Sequence, residues 1–406
     1  MNRKLILGVL VGLVAVYVGY FASLPVPEGL PEPWKMRAFV MVRYTMGLIG
    51  RIFTAGFSRR IVKGVQQGHN STRIITNVDF DGVPVRIYAP PDKQSEPLPA
   101  LVCIHGGGWV MGSVDTYHFF TNDVATKLDG IVLISVEYRL APLYPFPAAI
   151  DDCTIATAWL LSHTEEFNVD PNRIGVLGDN AGGNLAAAVS QRLTFDSQYS
   201  HLPKLRLQAL IYPALQAVDF EMPSYQQNGR YVTLVLSEEL MVVFWGLYLR
   251  GIRDSSFENA AFVNNHTSPS AKYLLADQGI LSHSDIPEQL RSGDYVPPTS
   301  NDFGNTTLYD SIKDTLLNPD FAPLMRTDLG GLPEAYIATC YFDVLRDDGI
   351  IYAKRLEDAG VKVTWKNYEV GTHGSMTMNH DGLFKLESGI HIRHDLVTFL
   401  NNTLIN

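Results

Sequence analysis

Four short stretches carry residues whose types and spacing suit nucleophilic chemistry on an acyl group. The first, Gly178-Asp179-Asn180-Ala181-Gly182-Gly183-Asn184, joins an apolar run at 173–177 to a helix-length stretch at 181–193. A sharp strand-to-helix turn holds its central residue out for attack. Gly178 and Gly182 leave room for that turn, and the Ala181 N–H would complete an oxyanion hole. The pattern expects G-x-S-x-G, but the central residue is Asn180. An amide has no hydroxyl for a neighbouring base to activate. It tolerates positive φ better than most side chains, so the turn can form around it. The architecture survives and the attacking atom is missing.

The second stretch, His105-Gly106-Gly107-Gly108-Trp109, directly follows an apolar run at 100–104. Acyl transfer creates a tetrahedral oxyanion, and fixed backbone N–H donors stabilise it. Glycines let the main chain come close enough to donate, so Gly106 and Gly107 are the expected donors within the motif His105 to Gly108. The third stretch places Asp343 after the run 335–339, and the fourth places His373 in Gly371-Thr372-His373-Gly374 after the run 361–365. A buried carboxylate can orient a histidine so that its other nitrogen serves as general base. Taken alone, Asp343 reads as a helix cap and His373 as a loop residue. Their order after the elbow and their placement at strand ends favour an acid and a base. Asp347 and Asp348 read as first-turn helix carboxylates. Such a set needs no metal and no cofactor.

The elements that must position these residues are legible in outline. Residues 73–80 and 83–88 alternate β-formers around Asp81-Gly82, a hairpin signal. Apolar runs at 100–104, 131–136, 173–177, 205–212, 335–339 and 361–365 alternate with helical stretches at 147–163, 181–193, 347–359 and 390–400. That rhythm predicts an α/β fold with a mainly parallel sheet covered on both faces. It breaks between about 218 and 332, which reads as a cap inserted beyond the sheet's carboxyl edge. Within it, residues 231–249 are apolar nearly all round and read as one helix of the cap core or of a lipid pocket.

The formal net charge of −10 argues against a nucleic-acid partner. Cys103, Cys153 and Cys340 are too few for a disulfide framework, although any one pair could bridge. Residues 5–24 are uncharged and long enough to cross a bilayer, with Arg3 and Lys4 before them and no basic residue until Lys35. This predicts a retained signal anchor rather than a cleaved leader, a cytosolic tail at 1–4, and a lumenal or external body. Asn70, Asn265, Asn305 and Asn401 head glycosylation sequons beyond the anchor. Residues 25–70 read as a membrane-proximal segment, and 71–406 as the α/β domain with its cap. Arg37, Arg43, Arg51, Arg59 and Arg60 interleave with apolar residues, fitting either a helix on lipid headgroups or a cap helix.

These motifs, with Glu137-Tyr138-Arg139-Leu140-Ala141-Pro142 and Phe146-Pro147, resemble the hormone-sensitive-lipase branch of the α/β-hydrolases. Within that branch LQALIYPALQAVDF, PSYQQN, VNNHT and DVLRDDGIIYAKRLEDAGVKVT are similar to the neutral cholesterol ester hydrolase and arylacetamide deacetylase family. The resemblance implies a single-pass endoplasmic-reticulum serine hydrolase of lipophilic esters. Cholesteryl esters, acetylated ether glycerolipids and acylated aromatic compounds are the substrate types. It places the acid at Asp343, the base at His373, the oxyanion donors at Gly106, Gly107 and Ala181, and the nucleophile position at Asn180. Val110 stands where some deacetylases carry a cysteine, which implies that Cys340 lacks that partner. Two functions stay open: a carboxylic ester hydrolase impaired at Asn180, and a pseudoenzyme that binds a lipid or steroid ester without turnover. A lumenal interaction protein without a ligand is a third. Plant gibberellin receptors, similar hydrolases turned to ligand sensing, set a precedent for the second.

Overall fold

The computed structural model describes residues 3–52, 72–92, 94–377 and 385–405, with backbone alone for 3–7, 10, 43 and 46–52. The chain opens with α1 (Arg3–Ala22) and α2 (Pro33–Ile52), and then builds an eight-stranded sheet. In chain order the strands are β1 (Ile74–Phe80), β2 (Val83–Ala89), β3 (Leu98–Ile104), β4 (Val132–Val136), β5 (Val169–Asp179), β6 (Leu207–Ile211), β7 (Glu334–Phe342) and β8 (Val363–Thr372). Their spatial order is β1-β2-β4-β3-β5-β6-β7-β8. The hairpin β1–β2 and the β2–β4 pair are antiparallel, and every other pair is parallel.

The period of two in the strands divides the core. Ala100, Val102 and Ile104 face one side with α4 (Ala148–Ser162), α5 (Ala181–Phe195) and α11 (Arg346–Asp358). Leu101 and Cys103 face the other with α3 (Val114–Lys127) and α12 (Glu387–Leu400). A strand buried on both faces has no polar side to show, hence the continuous apolar runs. β3 continues to β4 on one side, while β5 lies on its other side. The topological switch, where α/β sheets form their crevices, therefore falls between the carboxyl ends of β3 and β5.

Between β6 and β7 the chain forms α6 (Pro223–Asn228), α7 (Glu238–Arg250), α8 (Ser255–Ala261), α9 (Pro269–Asp277) and α10 (Thr306–Leu316). The single helix expected over 231–249 is shorter. The Ser237 hydroxyl caps α7 by accepting the Leu240 N–H, with Glu238 and Glu239 in the first turn. A capping serine sets the start where apolar content alone does not. Rings tie the cap down. Tyr248 stacks on Trp109 at 4.6 Å and on Phe321 at 5.2 Å. The two aspartates read as first-turn carboxylates do begin α11, and they also reach the insertion. Asp348 accepts the N–H groups of Leu215 and Gln216, and Asp347 accepts that of Ser224.

The expected anchor is helical through α1, yet among the described residues no helix is long and apolar enough to cross a membrane. The three cysteines are buried and unpaired, so no pair bridges. Of the expected membrane-proximal segment, residues 53–70, with Arg59, Arg60 and Asn70, lie outside the described residues. The described part docks. Val40 is buried against Phe21 and Leu24, Met36 and Leu30 pack with Leu234, Phe342 and Leu386, and the Thr233 hydroxyl donates to the Pro25 carbonyl. Removing a buried Met side chain costs about 2–5 kcal/mol. Met36→Ala should therefore speed proteolytic cleavage at the exposed Glu28-Gly29 turn and leave the thermal midpoint of the sheet domain in place. A fallen midpoint with unchanged cleavage would show that Met36 supports the main core instead.

Candidate active site

Asn180 sits at the switch point with φ 54° and ψ −118°, immediately before α5. Its N–H donates to the Ile211 carbonyl at 2.9 Å, and its own carbonyl accepts from Asn184 at 3.0 Å. The turn is as tight as the two glycines suggested. A Cβ on Gly178 would lie 2.0 Å from the Gly182 carbonyl oxygen, and one on Gly182 would lie 2.1 Å from that of Ile104. The elbow therefore presses directly on the strand that launches the glycine loop.

His373 and Asp343 meet as their order suggested. The His373 Nδ1–H donates to Asp343 Oδ2 at 2.8 Å, and Asp343 Oδ1 accepts the Leu345 N–H at 3.0 Å. Asp343 is fully buried and His373 is 6% exposed, so water competes little for this bond. Asp343 follows β7 and His373 follows β8, neighbouring strands in parallel register. The His373 ring lies 4.7 Å from that of Tyr212, which follows β6.

The glycine loop differs in detail from expectation. Gly108 donates to Asn180 Oδ1 at 3.0 Å, and Gly107 points to the same oxygen at 3.4 Å. Gly106, expected as a donor, instead gives its N–H to Asp179 Oδ1 at 3.1 Å. The loop's converging pair is thus Gly107 and Gly108, and Ala181 is the first residue of α5. His105 is scaffold. Its Nδ1–H donates to the Gly106 carbonyl at 2.9 Å, its ring stacks on Tyr138 at 4.2 Å, and burial lowers its pKa to about 4.

Sequence reasoning passed over Asp179 and Tyr117. Asp179 is buried, accepting from Gly106 and, at 3.0 Å, from the Tyr117 hydroxyl. A carboxylate closing an apolar strand was the available signal for Asp179. Nothing local marks Tyr117, which only the fold delivers. Among the described residues no group of three His, Cys, Asp or Glu could hold a metal ion. Asn265 and Asn305 lie together in the cap, where the Asn305 N–H donates to the Asn265 carbonyl, and Asn401 follows α12.

Burial pushes the Asp179 carboxyl up to about 6 from its ordinary 3.8, against the lowering pull of Tyr117, His373 and the Gly106 N–H. The folded state then holds this proton more tightly than the unfolded chain. The resulting stability, about 3 kcal/mol, is present at low pH and lost as pH rises through about 6. Asp179→Asn preserves both hydrogen bonds, because its carbonyl can accept from Gly106 and its amide can donate to the Tyr117 oxygen. The variant's thermal midpoint should lose the part of the decline between about pH 4 and 6 that this group causes. Parallel pH profiles for the two proteins would refute the assignment.

Against this geometry, the α/β hydrolase fold family profile matches residues 101–276 and 279–377. The chain is 38% identical over 386 residues to neutral cholesterol ester hydrolase 1 of Rattus norvegicus, covering 91% of this chain and 92% of that one. It is also 38% identical over 390 residues to arylacetamide deacetylase of Bos taurus, covering 92% and 94%. Among solved structures it is similar to the thermophilic carboxylesterase EstE1, with TM-score 0.61, 26% identity and coverage of 86% and 94%. A Pyrobaculum calidifontis esterase aligns with TM-score 0.62, 26% identity and coverage of 86% and 91%. The chain belongs to the neutral cholesterol ester hydrolase and arylacetamide deacetylase family of carboxylesterase-type α/β hydrolases.

Proposed function

We propose that this chain is a membrane-anchored family member whose site is built for lipophilic carboxylic esters and whose hydrolysis is lost at Asn180. The observation that carries the reading is the conjunction at one crevice. An oriented His373–Asp343 pair follows β7 and β8, and a glycine loop of N–H donors converges on a residue after β5 that cannot attack. In an active site of this design a serine hydroxyl adds to the ester carbonyl while histidine takes its proton. The oxyanion is held by backbone N–H groups, and histidine returns the proton to the departing alcohol. Here every part of that sequence has a counterpart except the hydroxyl. The names of the relatives support cholesteryl esters and arylacetamides as the ligand chemistry.

Loss of a triad nucleophile lowers turnover by roughly 10⁶-fold, with about 10³–10⁴ over water retained from the rest of the site. The chain should therefore hydrolyse short acyl esters near background, and Asn180→Ser should recover measurable hydrolysis. Adding His373→Ala to that variant should abolish the recovery. A folded Asn180→Ser protein that stays inert would mean the site has decayed beyond position 180. Binding does not require the nucleophile. A non-hydrolysable cholesteryl ester should therefore raise the thermal midpoint of the chain as it stands. No shift at saturation would leave an interaction protein.

The anchor, the endoplasmic-reticulum membrane and the lumenal body are part of the same proposal. They are supported by the uncharged run 5–24 behind Arg3 and Lys4 and by the outward apolar face of α1, where Val11 is 61% and Val16 72% exposed. Asn265 and at least one other sequon should carry glycans in cells, so glycosidase should increase gel mobility. Unchanged mobility, with protease reaching the body in intact microsomes, would reverse the orientation.

A further inference from the structure

The Asn180 side chain does more than lack a hydroxyl. Its amide oxygen stands 3.0 Å from the Gly108 nitrogen and 3.4 Å from the Gly107 nitrogen, the converging donors of the glycine loop. An amide oxygen is an acceptor with two lone pairs, as a substrate acyl oxygen is. We propose that Asn180 is the specificity-determining residue of this pocket, acting as a built-in occupant of the oxyanion hole that excludes ligands presenting an anionic oxygen there. The proposal rests on the acyl-pocket reading above and adds a statement about ligand class. As built, the site favours neutral apolar ligands over carboxylates, so a fatty acid, the acid product of ester cleavage, is a poor ligand.

Three features make the occupancy persistent. Asn180 is 5% exposed, so water offers its amide little alternative. Its backbone is held at both ends by the Ile211 carbonyl and by the Asn184 and Ala214 N–H groups, which fixes where the side chain starts. The glycine loop is held as well. Gly106 is tied to Asp179, and Tyr138 donates to the His105 carbonyl at 2.7 Å. A ligand carboxylate would have to displace the amide from both donors, leaving a buried polar group without a partner. The Asp179 charge also opposes anions, but it is present whatever occupies position 180 and cancels in a comparison of variants.

The test is titration of the full-length protein in detergent with octanoate and with octanol, by calorimetry, at a pH where octanoate is ionised. Asn180→Ala removes the amide. Asn180→Gly does the same and relieves the φ of 54°, so it stands in if the alanine protein does not fold. Hydrogen bonds to a charged group are strong enough that octanoate should bind both variants about 10-fold or more tighter than the parent chain. Octanol, which has a similar alkyl chain and whose neutral hydroxyl makes weaker hydrogen bonds to the same donors, should gain much less. Equal octanoate affinity in parent and variants overturns the proposal while sparing the acyl pocket. An equal gain for octanol also overturns it, because the variants would then have made only space. If neither probe binds any of the proteins, both the acyl-pocket reading and this inference fail.

Discussion

The site depends on how closely the turn at residue 180 packs against the end of β3. With Gly182 against the Ile104 carbonyl and Gly178 against the Gly182 carbonyl, no side chain fits between elbow and strand. That contact sets the distance between two loops that leave adjacent parallel strands at the switch point. Once it is set, residue 180 must point at the glycine loop, and the loop's donors must point back. A residue at φ 54° carries a conformational cost that the surrounding backbone bonds hold in place. Strain of this kind serves to present a nucleophile. Here it presents an amide, which turns to the nearest donors.

The remaining parts are brought in by longer connections. Asp343 and His373 leave β7 and β8, and their bond is kept dry by the cap and by Tyr212. The cap is tethered through buried polar contacts as well as rings. Arg346 and Asp347 form a fully buried pair at 2.9 Å, and Arg346 also donates to Gln227 and to the Leu290 carbonyl. Removing one partner of such a pair strands the other in a low dielectric. The acid-bearing loop, the start of α11 and the cap are thus joined by bonds that disfavour independent motion. The docking of Met36 and Leu30 against Leu234, Phe342 and Leu386 brings α2 and the turn before it to the same neighbourhood.

Much of this was legible in the sequence, for identifiable reasons. Doubly buried strands announce themselves as apolar runs. Glycines in HGGGW and around Asn180 mark places where backbone must approach backbone. The order of elbow, acid and histidine follows the order of strands in the sheet. What was not legible depends on direction rather than position. Gly106 and Gly107 are equivalent as letters, and only the fold shows that one faces Asp179 and the other Asn180. Tyr117 reaches Asp179 from α3, 62 residues away in sequence. The apolar stretch at 231–249 hid its own break, because a single capping serine outweighs the hydropathy around it.

If hydrolysis is lost at Asn180 as proposed, that residue forms no covalent bond to an ester or phosphonate. The most direct measurement is labelling of the unaltered chain with an alkyl fluorophosphonate, with adducts located by peptide mass spectrometry. The expected result is no adduct at residue 180 and no time-dependent labelling that is lost in His373→Ala. A stoichiometric adduct dependent on His373, on any residue of the chain, would contradict the proposed loss by exposing a nucleophile elsewhere in the site.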